Sequence, residues 1–293
     1  MAMRLHGFEI LVGPYTVAHF RVNSAIEERG GQPRQRLPIL LCDTLLPPHE
    51  EPEVPTQFGF MSAALTEERR AADEVKREIP IMVILGNPPY RRGRAQPGWV
   101  WDTLLPTFRD PVPDEYRIDL KSLADLYVWF YRWALWKLFE SESAPRQGIL
   151  SFISNSRWIL GGAFGGMRQV MRESFDRIYI IDLHGDGRAP LPAGVFEDEN
   201  IFEPVQVGIA ISMCIADGSA HGEEAQVLYY GDTWGSRQAK YEWLDAVTPD
   251  LSDVSFEMVD GTGTDPFFPG LSDVFKSWPV SYTHLTLPTT PYV

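Results

Sequence analysis

Four nearly unbroken apolar runs recur along this chain: PIMVIL (80–85), GILSFIS (148–154), IYIIDL (178–183) and VQVGIAISMCI (205–215). Runs of that length without polar alternation belong to strands covered on both faces, as helices do for a parallel sheet. Segments of helical spacing separate them. This alternation points to an α/β protein with a mainly parallel sheet. At 293 residues the chain suffices for one large domain or two small ones with a sizeable core. Its 44% hydrophobic and 12% aromatic content excludes a disordered or collagen-like polymer.

The remaining elements follow from the same patterns. Residues 4–12 read as a strand ending in an acid, Glu9, and 36–41 and 225–230 as further strands. Residues 14–28 read as a helix, with Pro14 in its first turn, apolar spacing through Tyr15, Ala18, Val22 and Ile26, and Gly30-Gly31 as its stop. Helices are also expected over 65–78, 119–142 and 164–174, the second strongly aromatic. Residues 47–55 form a Pro- and Glu-rich loop. After PIMVIL comes a loop of about thirty residues, a length usually functional or mobile. It carries Arg91, Arg92, Arg94, Trp99 and Trp101. No internal repeat is present.

Several function classes are disfavoured. Cys42 and Cys214 cannot make a disulfide scaffold or a four-ligand zinc site and fit a reducing cytoplasm. The histidines His6, His19, His49, His184 and His221 form no HExxH, and no GxSxG elbow appears, so no metal centre or hydrolytic triad is expected. No apolar run reaches the roughly 18 residues of a membrane span, and no signal-peptide pattern opens the chain. The expected setting is cytoplasmic, without a membrane. A formal charge of −14, from 26 basic and 40 acidic side chains, argues mildly against nucleic acid.

The segment Gly86-Asn87-Pro88-Pro89-Tyr90 follows PIMVIL directly. Ligands of open α/β sheets bind at the carboxyl ends of strands. Two prolines stiffen this turn, Asn87 offers a side-chain carbonyl acceptor, and Tyr90 offers a flat face for stacking. Such a site suits a planar substrate bearing an NH₂ group. The Asn87 side-chain oxygen and the Pro88 carbonyl can accept its two hydrogens and draw the nitrogen lone pair towards an electrophile.

Asn-Pro-Pro-Tyr after an apolar strand resembles the catalytic motif of amino-methylating, S-adenosylmethionine-dependent methyltransferases, especially adenine-N6 DNA methyltransferases of restriction–modification systems. The resemblance implies a Rossmann-like methyltransferase fold, S-adenosyl-L-methionine as cofactor, and double-stranded DNA with a flipped adenine as partner. It assigns Asn87, Pro88, Pro89 and Tyr90 to catalysis, with Tyr90 stacking on the flipped base. Gly7-Phe8-Glu9-Ile10 resembles the motif whose acid binds the cofactor ribose, giving Glu9. Leu41-Cys42-Asp43-Thr44-Leu45 resembles the motif whose Asp accepts from the cofactor adenine, giving Asp43. Alone, Glu9 reads as a solvated strand end and Asp43 as a cap. Phe202 stands where the family places an aromatic against the flipped base, and alone it reads equally as core. GFEILVGPYTVAHFRV, VILGNPPY, FISNSRWI, MRESFDRIYIIDLHG and the run 198–202 are similar to single-chain, type I-like (type ISP) restriction–modification enzymes, over residues 4–275.

The family's first strand and its Gly-rich cofactor turn have no counterpart here, and Gly161-Gly162 and Gly165-Gly166 lie after the motif. In the family that strand lies between the second and fourth. Its absence is expected to leave strand edges exposed and apolar surface uncovered. The expectation is therefore a fragment: residues 1–278 a partial methyltransferase domain, inactive alone, with N- and C-terminal domains of the same polypeptide missing. Residues 279–293 (SYTHLTLPT and its flanks) read as a non-native tail. Two alternatives stay open: methylation of a protein glutamine or RNA amino group, and a non-catalytic piece of a DNA translocase.

Overall fold

Gly7–Glu9 (β1) and Ile39–Leu41 (β2) pair in parallel, Gly7 opposite Ile39 and Glu9 opposite Leu41. The structure, a computed structural model, describes residues 4–31, 36–48, 59–90, 98–112, 114–219 and 222–270. It divides into two compact units. The first comprises Met1–Val83, Gln96–Leu105 and Trp129–Gly148, and the second Ile84–Ala95, Pro106–Val128 and Ile149–Val293.

In the first unit, Val12–Glu28 (α1) follows β1, with Pro14 in its first turn as expected. Gly59–Arg77 (α2) lays Ala72 and Val75 against Leu40, with Phe8, Ile79 and Ile81 around them. Lys76 and Arg77 stand in the last turn of α2, where cations complement the helix dipole. The Lys137 ammonium is buried and donates to the Lys76 carbonyl at 2.7 Å and to Ser143 Oγ at 2.8 Å. The two tryptophans expected in a loop are packed instead. Trp99 meets Trp136 edge-on at 4.9 Å, and Trp101 lies 5.9 Å from Trp129. Their segment is not open loop: Val100–Leu104 is a widened helical turn, closed by Leu105 N donating to Val100 O at 2.8 Å. Packing of these aromatic rings holds the stretch in a helical course where a long loop was expected. Arg91, Arg92 and Arg94 lie outside the described residues.

The second unit is built on a six-stranded sheet: Val83–Gly86 (β3), Gly148–Asn155 (β4), Arg177–His184 (β5), Ile209–Ala216 (β6), Gln226–Tyr230 (β7) and Glu257–Met258 (β8). The order is β3-β4-β6-β5-β7-β8. The expected mainly parallel sheet is corrected to a mixed one, since β5 pairs antiparallel with β6 and parallel with β7, and β7 pairs antiparallel with β8. A long connection without a crossover helix returns the chain beside β5, and only a crossover forces parallel pairing. Apolar content cannot distinguish the two directions.

Helices Pro106–Arg109 (α3), Leu126–Leu135 (α4), Arg157–Leu160 (α5), Gly165–Ser174 (α6) and Arg237–Ala246 (α7) complete the set. The expected helix 119–142 is α4, preceded by tight turns over Asp114–Ala124 and extended by Trp136–Glu140. On α6, Gly166 allows backbone contact, for a Cβ there would stand 2.2 Å from the Phe108 carbonyl oxygen. Two buried arginines of α6 clamp a distant segment. Arg168 donates to the carbonyls of Trp158, Gly161, Thr264 and Asp265. Arg172 donates to those of Gly263 and Asp265 and lies 4.4 Å from the Phe267 ring centre. These carbonyl partners take up most of the guanidinium donors, which burial otherwise makes costly, although Arg172 Nε is buried without a hydrogen-bond partner among the described residues.

Apolar side chains are left exposed in both units. Ile10 and Leu11 between β1 and α1 and Val17 and Phe20 on α1 are exposed, and Leu85 on β3 is 72% exposed. Strand β3 ends the six-stranded sheet and has no second strand partner among the described residues.

Candidate functional site

Strand β3 delivers the chain to the carboxyl edge of the sheet. Met82 lies beside Gly148 and Gly86 beside Phe152, so β3 and β4 run in the same direction. Gly86 is needed for close approach, since a Cβ would fall 2.9 Å from the Phe152 ring. Pro88 is buried, Asn87 and Pro89 are exposed, and Tyr90 is half-buried. The Tyr90 hydroxyl donates to Asn87 Oδ1 at 2.9 Å and lies 3.4 Å from the Ile153 carbonyl oxygen. Burial raises the Tyr90 hydroxyl well above the ordinary phenol range, so it remains a donor at neutral pH.

Tyr90 and Phe202, far apart in sequence, are brought together with ring centres 6.0 Å apart and planes inclined by 43°. Beneath them lie the buried Leu183, Ile201 and Ile209, joined by Ile153. The turn bearing Phe202 is held by polar groups. Asn200 Nδ2 donates to the carbonyls of Gly185 and Val207 at 2.9 and 2.8 Å, while its Oδ1 accepts from Phe202 N at 2.9 Å. Lys240 on α7, 2% exposed, donates to Leu183 O at 2.7 Å, Glu199 O at 2.6 Å and the Asp198 carboxylate. The other Asp198 oxygen accepts from Gly185 N at 2.7 Å. Gly185 has φ +79°, and a Cβ there would meet Asn200 Cα at 2.6 Å, so glycine is required twice over. Arg237 Nε and the Tyr241 hydroxyl, also on α7, donate to Asn200 O and Ile201 O at 2.8 Å each.

Helix α7 and Lys240 escaped sequence reasoning. The available signal was Ser236, whose Oγ accepts from Ala239 N as a helix cap. Ser156 N donates to Gly208 O at 2.8 Å, which sets the end of β4 beside the start of β6. The ends of β3, β4 and β5 therefore open on one edge, where Asn87, Tyr90 and Phe202 stand. The arrangement presents a carbonyl acceptor beside two aromatic rings, which suits a flat ring with an amino donor.

Glu9 and Asp43 belong to the first unit. The register of β1 and β2 sets Glu9 opposite Leu41, two residues before Asp43, so both acids stand at the carboxyl end of that strand pair. Glu9 Oε1 accepts from Leu11 N at 2.8 Å, and Asp43 Oδ1 accepts from Leu45 N at 2.9 Å. Lys76 ties the Asp43 turn down, donating to the carbonyls of Asp43 and Leu46 at 2.9 Å each. Leu41, Cys42, Asp43, Leu46, Leu65, Arg69, Asp73 and Lys76 line a cavity of about 150 Å³. That is small against the ~300–1,000 Å³ of a whole cofactor site, so it can hold one end of such a molecule. Burial pushes the Cys42 thiol up to about 12 and draws the Lys76 ammonium down. Among the described residues no group of three or more His, Cys, Asp or Glu side chains could hold a metal ion. No described helix is long and apolar enough to cross a membrane.

No family model and no curated protein matches the sequence. Solved structures do match. The ATP-dependent Type ISP restriction-modification enzyme LlaBIII bound to DNA aligns at TM-score 0.73 with 23% identity, over 89% of this chain and 17% of that one. A nuclease-deletion mutant of the Type ISP enzyme LlaGI with a DNA substrate mimic aligns at 0.70 with 22% identity, over 90% and 21%. The DrdV–DNA complex aligns at 0.68 with 24% identity, over 90% and 24%. The chain thus spans about a fifth of these structures' length, and it shares their mixed α/β fold there.

Proposed function

We propose that this fold serves as the methyltransferase core of a type ISP-like restriction–modification enzyme, transferring methyl from S-adenosyl-L-methionine to the N6 amino group of adenine in DNA. The observation that carries the reading is the meeting of Asn87, Tyr90 and Phe202 at the carboxyl edge of β3. Similarity to LlaBIII and LlaGI, both solved with DNA or a DNA mimic, supports the same reading.

An adenine swung out of the duplex would enter between Tyr90 and Phe202. The rings now stand 6.0 Å apart and inclined, so entry turns them parallel and parts them to about 7 Å, twice an ordinary ~3.5 Å contact distance. Asn87 Oδ1 and the Pro88 carbonyl then accept the two N6 hydrogens. Holding both hydrogens pulls the nitrogen towards tetrahedral geometry and frees its lone pair. Catalysis is then chiefly orientation, and the proton leaves after transfer. The cofactor supplies an electrophilic methyl on a sulfonium. Glu9 would accept from its ribose hydroxyls and Asp43 from its adenine amino group. The second oxygen of each carboxylate suits that task, and the cavity beside Asp43 has room for one end of the molecule.

We read the fold as a Rossmann-like methyltransferase without its first strand and Gly-rich turn, extending to residue 278, with 279–293 a non-native tail outside the described residues. The free side of β3 among the described residues and the exposed Leu85 on it are what such a missing strand would leave. On this reading the missing strand and turn come from further parts of the same polypeptide, as do target recognition and translocation. The 293-residue chain alone is expected to bind cofactor poorly and transfer no methyl.

Labelled methyl transfer is the test, using an intact polypeptide that carries these residues with the missing strand and turn. DNA, RNA and protein are offered separately and the products hydrolysed. Label in N6-methyladenine from DNA supports the reading. Label in glutamine or in RNA overturns the substrate, and no label anywhere overturns the enzyme. Robust transfer by the 293-residue chain would overturn the incomplete-domain part of the proposal.

A further inference from the structure

The connection from β5 to Asp198 forms a closed loop. Gly185 N donates to Asp198 Oδ2 at 2.7 Å, and Asn200 returns to Gly185 O at 2.9 Å, so the two ends meet at a neck. Lys240 plugs that neck from below with its three donated bonds. Twelve residues, 186–197, stand between, and 187–194, 196 and 197 are all exposed. Loops of this kind, compact with ends close together, are frequently functional. The tip reads Ala189-Pro190-Leu191-Pro192-Ala193-Gly194-Val195-Phe196, eight residues without a charge. It is shaped by local bonds, Ala189 N to Asp186 O and Val195 N to Pro192 O. Phe196 is 94% exposed and Leu191 45%. The hydrogen-bonded neck thus carries a phenylalanine ring clear of the fold, in the same uncharged tip as the half-exposed Leu191.

Resting on the DNA-methyltransferase reading, we propose that Phe196 is a wedge that enters the base stack of duplex DNA next to the adenine held between Tyr90 and Phe202. The loop leaves the carboxyl end of β5, on the edge where Tyr90 stands. Its neck is also the clamp that fixes Phe202, so the wedge and the base pocket share one rigid support. Phe196 lies six residues before Phe202, within ~20 Å at full chain extension. Flipping a base leaves a gap in the stack, and apolar side chains inserted between bases are a recurrent way to fill such gaps. The eight-residue tip itself carries no charge, which fits a ring that touches bases rather than phosphates, while Asp186, Glu197 and Glu199 beside it outnumber Arg188.

The test uses an intact polypeptide that carries these residues with the missing strand and turn, and a short fluorescent duplex with one adenine opposite an abasic site, flanked by 5-iodouracil. Tighter binding to this duplex than to the fully paired one, with a photo-crosslink mapping to Phe196, is expected. Phe196→Ala should lower the affinity about tenfold and abolish the crosslink, as base–aromatic stacking contributes ~1–3 kcal/mol. Its exposure makes the variant safe for folding. Unchanged affinity with a crosslink elsewhere overturns the wedge and leaves the base pocket standing, the result expected if Phe196 instead meets another protein domain. Equal binding of unpaired adenine and unpaired cytosine, insensitive to Asn87→Ala, overturns the base pocket itself.

Discussion

The hydroxyl of Tyr90 donates to Oδ1 of Asn87, the oxygen that the proposed chemistry needs for the substrate amino group. Without substrate the acceptor is satisfied internally, and adenine must displace that bond as it enters. Tyr90→Phe removes the competitor and keeps the stacking ring. The affinity for a duplex with an unpaired adenine, followed by fluorescence anisotropy, should rise about two- to tenfold, the worth of one net hydrogen bond. Tyr90→Ala should instead weaken it. A fall with Tyr90→Phe would mean the hydroxyl serves the bound state.

Lys240 and Asp198 are buried and paired, and the lysine also satisfies two carbonyls. Removing one partner of a buried pair leaves the other charge uncompensated, at ~3–5 kcal/mol. Lys240→Met should lower the urea midpoint by a corresponding margin. Adding Asp198→Asn should recover part of that loss. Equal midpoints for wild type and Lys240→Met would contradict the clamp.

Gly86→Ala tests the packing under the motif. The new methyl would stand 2.9 Å from the Phe152 ring, so ring or strand must move. Overpacking of this kind costs about 1–3 kcal/mol. Calorimetric melting should register it, and no change in melting would show that β3 stands off from β4.

Burial holds the Lys137 ammonium down to about 8, against an ordinary value near 10.5. Between those limits the unfolded chain binds more protons than the folded one, so this residue makes stability rise with pH across that window. Below pH 8 its full penalty is present. The difference in melting temperature between wild type and Lys137→Met, scanned from pH 7 to 10.5, should therefore shift in favour of wild type as pH rises. A flat difference would mean the ammonium is solvated.

Much of the fold was legible because long apolar runs leave few alternatives. Residues 148–154 and 178–183 reappear inside β4 and β5, and 164–174 is α6 with one residue trimmed. Strand direction was not legible, because β6 is as apolar as a parallel strand and its antiparallel course depends on the connection before it. Nor were the packed Trp99 and Trp101, since their partners Trp136 and Trp129 lie some thirty residues on. At the site, Asn87, Tyr90 and Phe202 were named from the sequence and meet in space. Lys240 was missed because a lone lysine on an amphipathic helix reads as surface. Only the tertiary fold turns it towards Asp198.

Adenine methylation dependent on Asn87 is the central claim, and one measurement addresses it most directly. The intact polypeptide, wild type or Asn87→Ala, is expressed in cells without adenine methylation, and N6-methyladenine in their DNA is quantified by mass spectrometry. Abundant N6-methyladenine with wild type and near-complete loss with Asn87→Ala, both proteins folded and equally expressed, is the expected result. Equal methylation by both would contradict it, because the acceptor at the end of β3 would then take no part in the chemistry.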